Sequence, residues 1–369
     1  MKQIAYLGWL GAGNLGDEGC FQLFRRLVHS ISTQVECIPI TIRESQGTLY
    51  AHQPGAAASS RSPWDPAAYD YVVLGGGSLL NADRYLLALQ AAQAAGVPTA
   101  VWGTGFDGLP HELAREWIAG GPIPAGIEAP APHPCAPQVL QACRIAGVRG
   151  PVTAAWLAAH GWESPAVCGD PGLLLAPPPS DGAAARDQLA VIWGMSHRAT
   201  HQGTDHEALT DRTAGWLRRI ARACRPVIAV MWAHDLPAAQ ELARRVGKAA
   251  TLVEEPLTLR SFALLMSRSA LTLSYRLHGC IFSAACGTPF CSIAYRSKCY
   301  DFARSVEAGE WVVEPGSPDY EQRLDRWFSR AGGREQREHS DRLKRSAARY
   351  RACLVGTVKG ILRDLGEGE

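Results

Sequence analysis

The chain has 369 residues, which at about 150 residues per domain is roughly 2.5 domains and reads as two. Its 37 basic and 35 acidic side chains leave a formal net charge of +2, which argues against a nucleic-acid platform or an acidic tail. With 47% hydrophobic and 20% charged residues, the chain has the material for buried cores, and no apolar run approaches the ~18 residues of a membrane span.

Near the N-terminus Lys2 precedes the apolar stretch Ile4–Leu10, but glycines, Asn14 and Asp17 follow where a secretion signal needs a longer apolar region. The coarse pattern thereafter alternates β and α. Short apolar or β-branched runs at Ile4–Leu7, Gln34–Ile38, Tyr71–Leu74, Thr99–Trp102, Ile145–Val148 and Ala166–Cys168 read as buried parallel strands. Helices are expected at Glu18–Ser30, Asp83–Ala95 and Val152–His160, the last closed by Gly161. The segment 108–138 is rich in proline and glycine and reads as an inserted loop.

Pro177–Gly182 breaks the pattern and is the expected linker. A second series follows, with strands near Leu189–Trp193, Val227–Met231, Thr251–Val253, Leu271–Leu273 and Phe290–Ile293. Its helices are expected near Glu207–Ala223, Ala238–Val246, Leu257–Ser267 and Leu277–Cys286, and Arg334–Leu365 reads as a long terminal helix. The expected architecture is two doubly wound, Rossmann-like α/β domains facing across a cleft. Residues 1–176 form the first domain, 188–333 the second, and 334–369 the terminal helix. The eleven cysteines contain no C-x-x-C pair and read as reduced thiols of a cytoplasmic protein.

Gly11-Ala12-Gly13-Asn14-Leu15-Gly16 matches the dinucleotide fingerprint G-x-G-x-x-G in its expected place between strand and helix. The next residues argue against it. Asp17 and Glu18 occupy the helix start, where a pyrophosphate needs free N–H groups and positive potential. Thr41-Ile42-Arg43 stands where a ribose-binding acid would be expected. Two readings remain for this loop. Asp17 simply caps the helix, or Asn14, Asp17 and Glu18 hold hydroxyls of a polyol, with Asp17 capping while Glu18 reaches out. Gly75-Gly76-Gly77-Ser78 and Gly103-Thr104-Gly105 fall at the same sheet edge, as tight turns or as places where a ligand or backbone comes close.

The segment Ser274-Tyr275-Arg276-Leu277-His278-Gly279 puts Arg276 and His278 at a helix start, and the next strand leads into Tyr295-Arg296-Ser297-Lys298. Arginine presents a planar fork for phosphate or carboxylate, lysine a point charge, and histidine a proton donor near neutral pH. Together they suit a small dianion, although each alone is also compatible with a salt bridge or a core histidine. His197, His201 and His206 form a separate group that could be read as a metal site.

With these elements in order, the chain resembles the polysaccharide pyruvyl transferase family. The resemblance is carried by Gly-Asn-Leu-Gly-Asp-Glu (13–18), Leu74–Leu79, Gly103-Thr104-Gly105, Val148-Arg149, Gly169-Asp170-Pro171 and the block from Arg276 to Lys298. It implies a GT-B-like enzyme that moves an enolpyruvyl-derived group from phosphoenolpyruvate to a sugar, glycan or lipid-linked saccharide, usually as a ketal, with release of phosphate. Phosphoenolpyruvate is then a co-substrate, and no cofactor or metal is expected.

By position, the resemblance implies Arg276 and His278 as donor-site residues, with Lys298 and Arg149 as helpers; Arg296, beside Lys298, joins the candidate donor-binding cations on its charge. It places Asp17 and Glu18 toward the acceptor; Asn14, Gly75, Gly76, Gly77, Ser78, Gly103 and Gly105 are candidates for the acceptor or cleft loops from their place at the strand ends. The chemistry assigns His278 as acid, Arg276 as clamp and Asp17 or Glu18 as base or orienter. Gly150-Pro151 after Arg149 departs from the family pattern, which often has an acid there. The alternatives are a GT-B glycosyltransferase using a nucleotide-sugar, or a non-catalytic subunit on the same scaffold.

Overall fold

A computed structural model describes residues 1–55, 62–116, 130–163, 165–177, 186–195, 205–331 and 333–367. The remainder of the 108–138 insert (117–129), most of the Pro177–Gly182 linker, His197 and His201 lie outside the described residues. The chain forms two compact units, one of residues 1–172 and 349–369, the other of residues 173–348. The contacts change hands at Gly172, ahead of the proline run.

The first unit contains β1 (Lys2–Leu7), α1 (Leu15–Ile31), β2 (Val35–Ser45), β3 (Thr48–His52), β4 (Ser62–Pro63), β5 (Tyr71–Leu74), α2 (Asp83–Ala94), β6 (Thr99–Thr104), α3 (His111–Glu116), α4 (Ala136–Gln141), β7 (Ile145–Val148), α5 (Pro151–Ala159) and β8 (Ala166–Val167). Its sheet has the order β4-β3-β2-β1-β5-β6-β7-β8, parallel except at β2-β3 and β3-β4. The central strands β5 and β6 are buried throughout, as expected of apolar runs covered on both faces. A ring cluster of Tyr6, Phe24 and Trp102, with centroids 5.0 Å apart for Tyr6–Phe24 and for Phe24–Trp102, fills one side of the core.

Three features of this unit differ from the sequence reading, the first being that the 108–138 insert, expected as a loop, carries helix α3 and the start of α4 at its described ends. Strand β2 runs to Ser45 and turns back through Gln46 (φ 49°) and Gly47 (φ 74°), a two-residue hairpin with both central residues left-handed. Its polar, exposed tip carries no apolar alternation, so nothing marked it as strand. Asn14, rather than Asp17, caps α1: its side chain accepts from Gly16 N at 3.0 Å. The helix therefore starts three residues earlier than expected.

The second unit contains β9 (Gln188–Ile192), α6 (His206–Ile220), β10 (Arg225–Ala229), α7 (Leu236–Val246), β11 (Thr251–Val253), α8 (Leu259–Arg268), β12 (Ser269–Ser274), α9 (Leu277–Ala285), β13 (Phe290–Ile293), α10 (Lys298–Ser305), β14 (Val312–Val313) and α11 (Tyr320–Arg330). All its strands are parallel, in the order β11-β10-β9-β12-β13-β14. Helix α12 (Gly333–Asp364) contributes residues to 348 to this unit and the rest to the first. Its Leu354, Val358, Ile361 and Leu362 are fully buried, and Trp102 Nε1 donates to Leu354 O at 3.2 Å. Elements α10, α11 and β14 were not anticipated, although Tyr320, Leu324 and Trp327 bury one stripe of α11 at helical spacing.

All eleven cysteines are free, eight of them buried. Burial pushes the Cys37 thiol up to about 12 and those of Cys143 and Cys224 up to about 11. Cys353 is exposed, and a hydrogen bond from Cys168 lowers it to about 7 against the opposing effect of burial. Only the thiolate alkylates, so the rate follows its population. Iodoacetamide mapping by mass spectrometry should therefore find Cys353 modified first, with a rate rising through about pH 7, and Cys353→Ser should remove that fast phase.

Candidate functional site

In an open parallel sheet, ligands bind beyond the strand carboxyl ends where the strand order reverses. In the second unit the order reverses between β9 and β12. Those strands end at Trp193-Gly194-Met195 and at Tyr275-Arg276, which leads into α9. Arg276 thus sits at the switch point of its own sheet, while Arg296 and Lys298 follow the neighbouring strand β13.

Arg276 is the N-cap residue of α9, with extended backbone, and it is largely buried. Its Nε donates to Asp235 Oδ2 at 2.8 Å, and Nη2 donates to Asp235 Oδ1 and to Met195 O, the latter at 2.7 Å. Asp235 is fully buried and also accepts from Met195 N at 3.3 Å. Trp232 lies under the guanidinium, 5.6 Å from its ring centroid. Burial opposes the charge on Arg276, but the bonds to Asp235 and to Tyr295 outweigh it and hold the pKa above the ordinary arginine value.

Gly194 is required by this arrangement. A Cβ there would lie 2.7 Å from both Arg276 Nε and Asp235 Cγ. Gly279 is similarly constrained, because Ser274 Oγ occupies its Cβ position while donating to Arg276 O at 2.6 Å.

Lys298 opens α10, rather than lying in a loop, and its Nζ stands 5.1 Å from the Tyr295 ring centroid. Tyr295 stacks on Tyr275 at 4.9 Å and 17°. Arg276 and Lys298 therefore meet the same aromatic pair. Arg296 and His278 are half-buried nearby in sequence, and the His278 ring is 5.7 Å from that of Phe282, one turn along α9. His206 packs edge-on against Tyr275 at 5.8 Å, and its Nε2 donates to Gly194 O at 3.2 Å. That bond places the Nε2 proton toward the carbonyl, so a metal could use only Nδ1.

The parallel strands of the first unit reverse order between β1 and β5. Beyond β1, Asp17 accepts from Asn14 Nδ2 at 2.8 Å, and Glu18 turns back to accept from Gly11 N at 2.6 Å. Asp17 is buried and Glu18 half-buried. The positive end of α1 is thus met by the chain's own carboxylates.

Each glycine of the two following loops makes room for one of the chain's own groups. The Cβ position of Gly75 is taken by Tyr6, that of Gly76 by Cys20 and Pro171, and that of Gly77 (φ 107°) by Asp17. Pro171 and Gly169 O fill the position at Gly103 (φ 74°), and Arg149 that at Gly105. The close approach expected at these loops is therefore made by protein side chains. Ser78 follows at the start of a single 3-10 turn. Tyr6, not singled out in the sequence, is fully buried with its hydroxyl accepting from Gly76 N at 3.1 Å, and burial pushes its pKa well up.

Arg149 is also fully buried; its terminal nitrogens donate to Gly77 O at 3.3 Å and Phe106 O at 3.2 Å. Its contacts brace the ends of β5 and β6. Gly150-Pro151, the departure from the family pattern, is the N-cap and first residue of α5, a place where proline costs no hydrogen bond.

Asp235 escaped the sequence reading. In Ala-His-Asp-Leu-Pro it looks like an ordinary residue before a helix with proline in its first turn. Removing one partner of a buried pair leaves an uncompensated charge. Asp235→Asn should lower the urea-unfolding free energy by about 3 kcal/mol, measured by circular dichroism, and an unchanged midpoint would show that the pair is dispensable.

A family model described as polysaccharide pyruvyl transferase matches residues 23–297, more than half of the chain. No curated protein matches it. Among solved structures, the S. aureus MnaA–UDP co-structure is 12% identical, covers 100% of this chain and 98% of its own, and has a TM-score of 0.59. UDP-GlcNAc 2-epimerase from Neisseria meningitidis, bound to UDP-GlcNAc, is 12% identical, covers 100% of both chains and scores 0.54. Acinetobacter baumannii MurG is 11% identical, covers 98% of this chain and 100% of its own, and scores 0.53. At these identities the likeness concerns the fold, which is α/β and GT-B-like.

Proposed function

Since the chain belongs to the polysaccharide pyruvyl transferase family, we propose that it moves the enolpyruvyl-derived group of phosphoenolpyruvate onto sugar or glycan hydroxyls as a ketal, releasing phosphate. The observation that carries the donor half is that Arg276, at the switch point of a Rossmann-ordered sheet, shares one aromatic pair with Lys298, which follows the next strand.

In the proposed reaction His278 protonates C3 of phosphoenolpyruvate, and the enol π electrons form the new C–H bond. C2 becomes electrophilic and a first acceptor hydroxyl adds to it. The C2–O bond to phosphorus breaks and the leaving phosphate takes the electron pair. A second hydroxyl then closes the ketal. Of the two hydroxyl protons released, one replaces the proton given to C3 and the other leaves with phosphate.

Arg276 is suited to clamping an oxyanion. Asp235 fixes its plane, and Lys298 adds a second positive charge for the leaving group. Arg296 would add charge at the same turn. The contacts of Arg149 favour a positioning role, through the Gly77 and Phe106 carbonyls. For the acceptor, Glu18 is the more accessible of the two carboxylates and is assigned as base or orienter, with Asp17 and Asn14 holding the loop. A nucleotide-sugar donor rests only on fold likeness, which does not carry a substrate.

Purified protein given phosphoenolpyruvate and a glycan acceptor should release inorganic phosphate. Arg276→Ala should lower kcat/KM by roughly 10²–10³, and Glu18→Gln should act mainly on turnover with acceptor. Turnover of a nucleotide-sugar with no phosphate release from phosphoenolpyruvate would refute the proposal.

A further inference from the structure

The first unit carries an open cleft of about 650 Å³ next to the α1 loop, a size that suits a sugar residue or two. Its walls include Trp9 and Gly11 after β1, Arg43 and Gln46 from the extended end of β2, and Arg84 from the first turn of α2. The floor is rigid. Thr41 Oγ1 accepts from Leu10 N at 2.9 Å and donates to Gly8 O at 3.0 Å, a carbonyl that also receives the Tyr85 hydroxyl at 3.0 Å.

The charges of this cleft are unusual. Among the described residues neither Arg43 nor Arg84 has an acidic partner, whereas arginines such as Arg212, Arg245 and Arg276 are paired. Arg84 packs its guanidinium over the Tyr85 ring at 5.1 Å, and its Nε is buried without a hydrogen-bond partner. A guanidinium without an acidic partner leaves its positive charge uncompensated, and a bound anion would neutralise it. Both arginines line the cleft, and the charge of each opposes the burial that pushes the nearby Tyr85 hydroxyl up to about 12. Glu44 is the one acid of this wall, and Trp9, 38% exposed, offers an aromatic face beside the arginines.

We propose that this cleft binds an anionic sugar residue of the acceptor, its carboxylate or phosphate held by Arg43 and Arg84 and its ring against Trp9. The assignment rests on the acceptor being bound by the first unit, as proposed above. It deepens that reading, since it separates acidic glycans from neutral ones as substrates. The hairpin at Gln46–Gly47 supplies Arg43, so specificity depends on an extension of β2 beyond its pairing with β1.

Titration followed by ligand-observed NMR tests this on the full chain with methyl β-glucuronide, glucose 1-phosphate and methyl β-glucoside, without phosphoenolpyruvate. The two anions should bind at least about tenfold more tightly than the neutral glucoside, and their ratio tells carboxylate from phosphate. Arg84→Gln and, at the exposed position, Arg43→Gln should each weaken the anions about tenfold and leave the glucoside unchanged. Glu44→Gln should strengthen them. Equal binding of all three probes, or anion binding insensitive to both arginine variants, overturns the proposal. Phosphate release reports separately on the transfer reaction: arginine-dependent anion binding without any such release keeps the cleft and removes the reaction, and release with neutral acceptors unaffected by Arg43→Gln and Arg84→Gln does the reverse.

Discussion

A guanidinium taken largely out of water must be matched by an opposite charge held at bonding distance, and in the second unit Asp235 supplies it to Arg276. Most of what surrounds the switch point follows from that pair. Gly194 is glycine because the pair fills the space of its Cβ, and Met195 bonds both partners through its backbone. Trp232 covers one face of the guanidinium. The same bonds that neutralise Arg276 also fix its orientation, so the guanidinium is held in one place rather than on a mobile side chain, with its Nε–Nη2 edge committed to Asp235. Lys298, joined to it through Tyr295, provides the excess positive charge that the neutralised pair lacks.

The first unit solves a different problem at the corresponding strand ends. Its glycine loops are packed full by Tyr6, Cys20, Asp17, Pro171 and Arg149, and the start of α1 is occupied by Asn14, Asp17 and Glu18. A diphosphate has no free helix terminus there, which agrees with the objection raised by Asp17 and Glu18 to the dinucleotide fingerprint. The space left open lies to the side, between the loop after β1 and the extended end of β2, and it is lined by arginines.

What could be read from sequence was whatever burial had written into it. Strands such as Tyr71–Leu74 and Phe290–Ile293 are buried along their whole length and apolar but for Ser292, as strands covered on both faces are, and they are found where expected. The β2–β3 hairpin pairs apolar with polar residues without a regular alternation and ends in an exposed polar tip, so no periodicity marked it. Helix α11 did carry an apolar stripe, but it stands among seven arginine, aspartate, glutamate, glutamine and serine neighbours in a helix of eleven residues, too short to show the period plainly. The Arg276 block was conspicuous by its residue types, whereas Asp235 lies forty-one positions away in an unremarkable helix start, and only the fold brings it to Arg276. The glycines were legible as glycines. That protein side chains fill their missing Cβ positions was not, because it depends on Tyr6 and Pro171, far away in sequence.

The choice between pyruvate and nucleotide-sugar chemistry comes down to which small anion the second unit recognises. Calorimetric titration of the full chain with phosphoenolpyruvate and, separately, with uridine diphosphate decides it. Phosphoenolpyruvate should bind at a single site, at least about tenfold more weakly in Arg276→Ala, with no heat from uridine diphosphate. Tight binding of uridine diphosphate and none of phosphoenolpyruvate would contradict pyruvyl transfer.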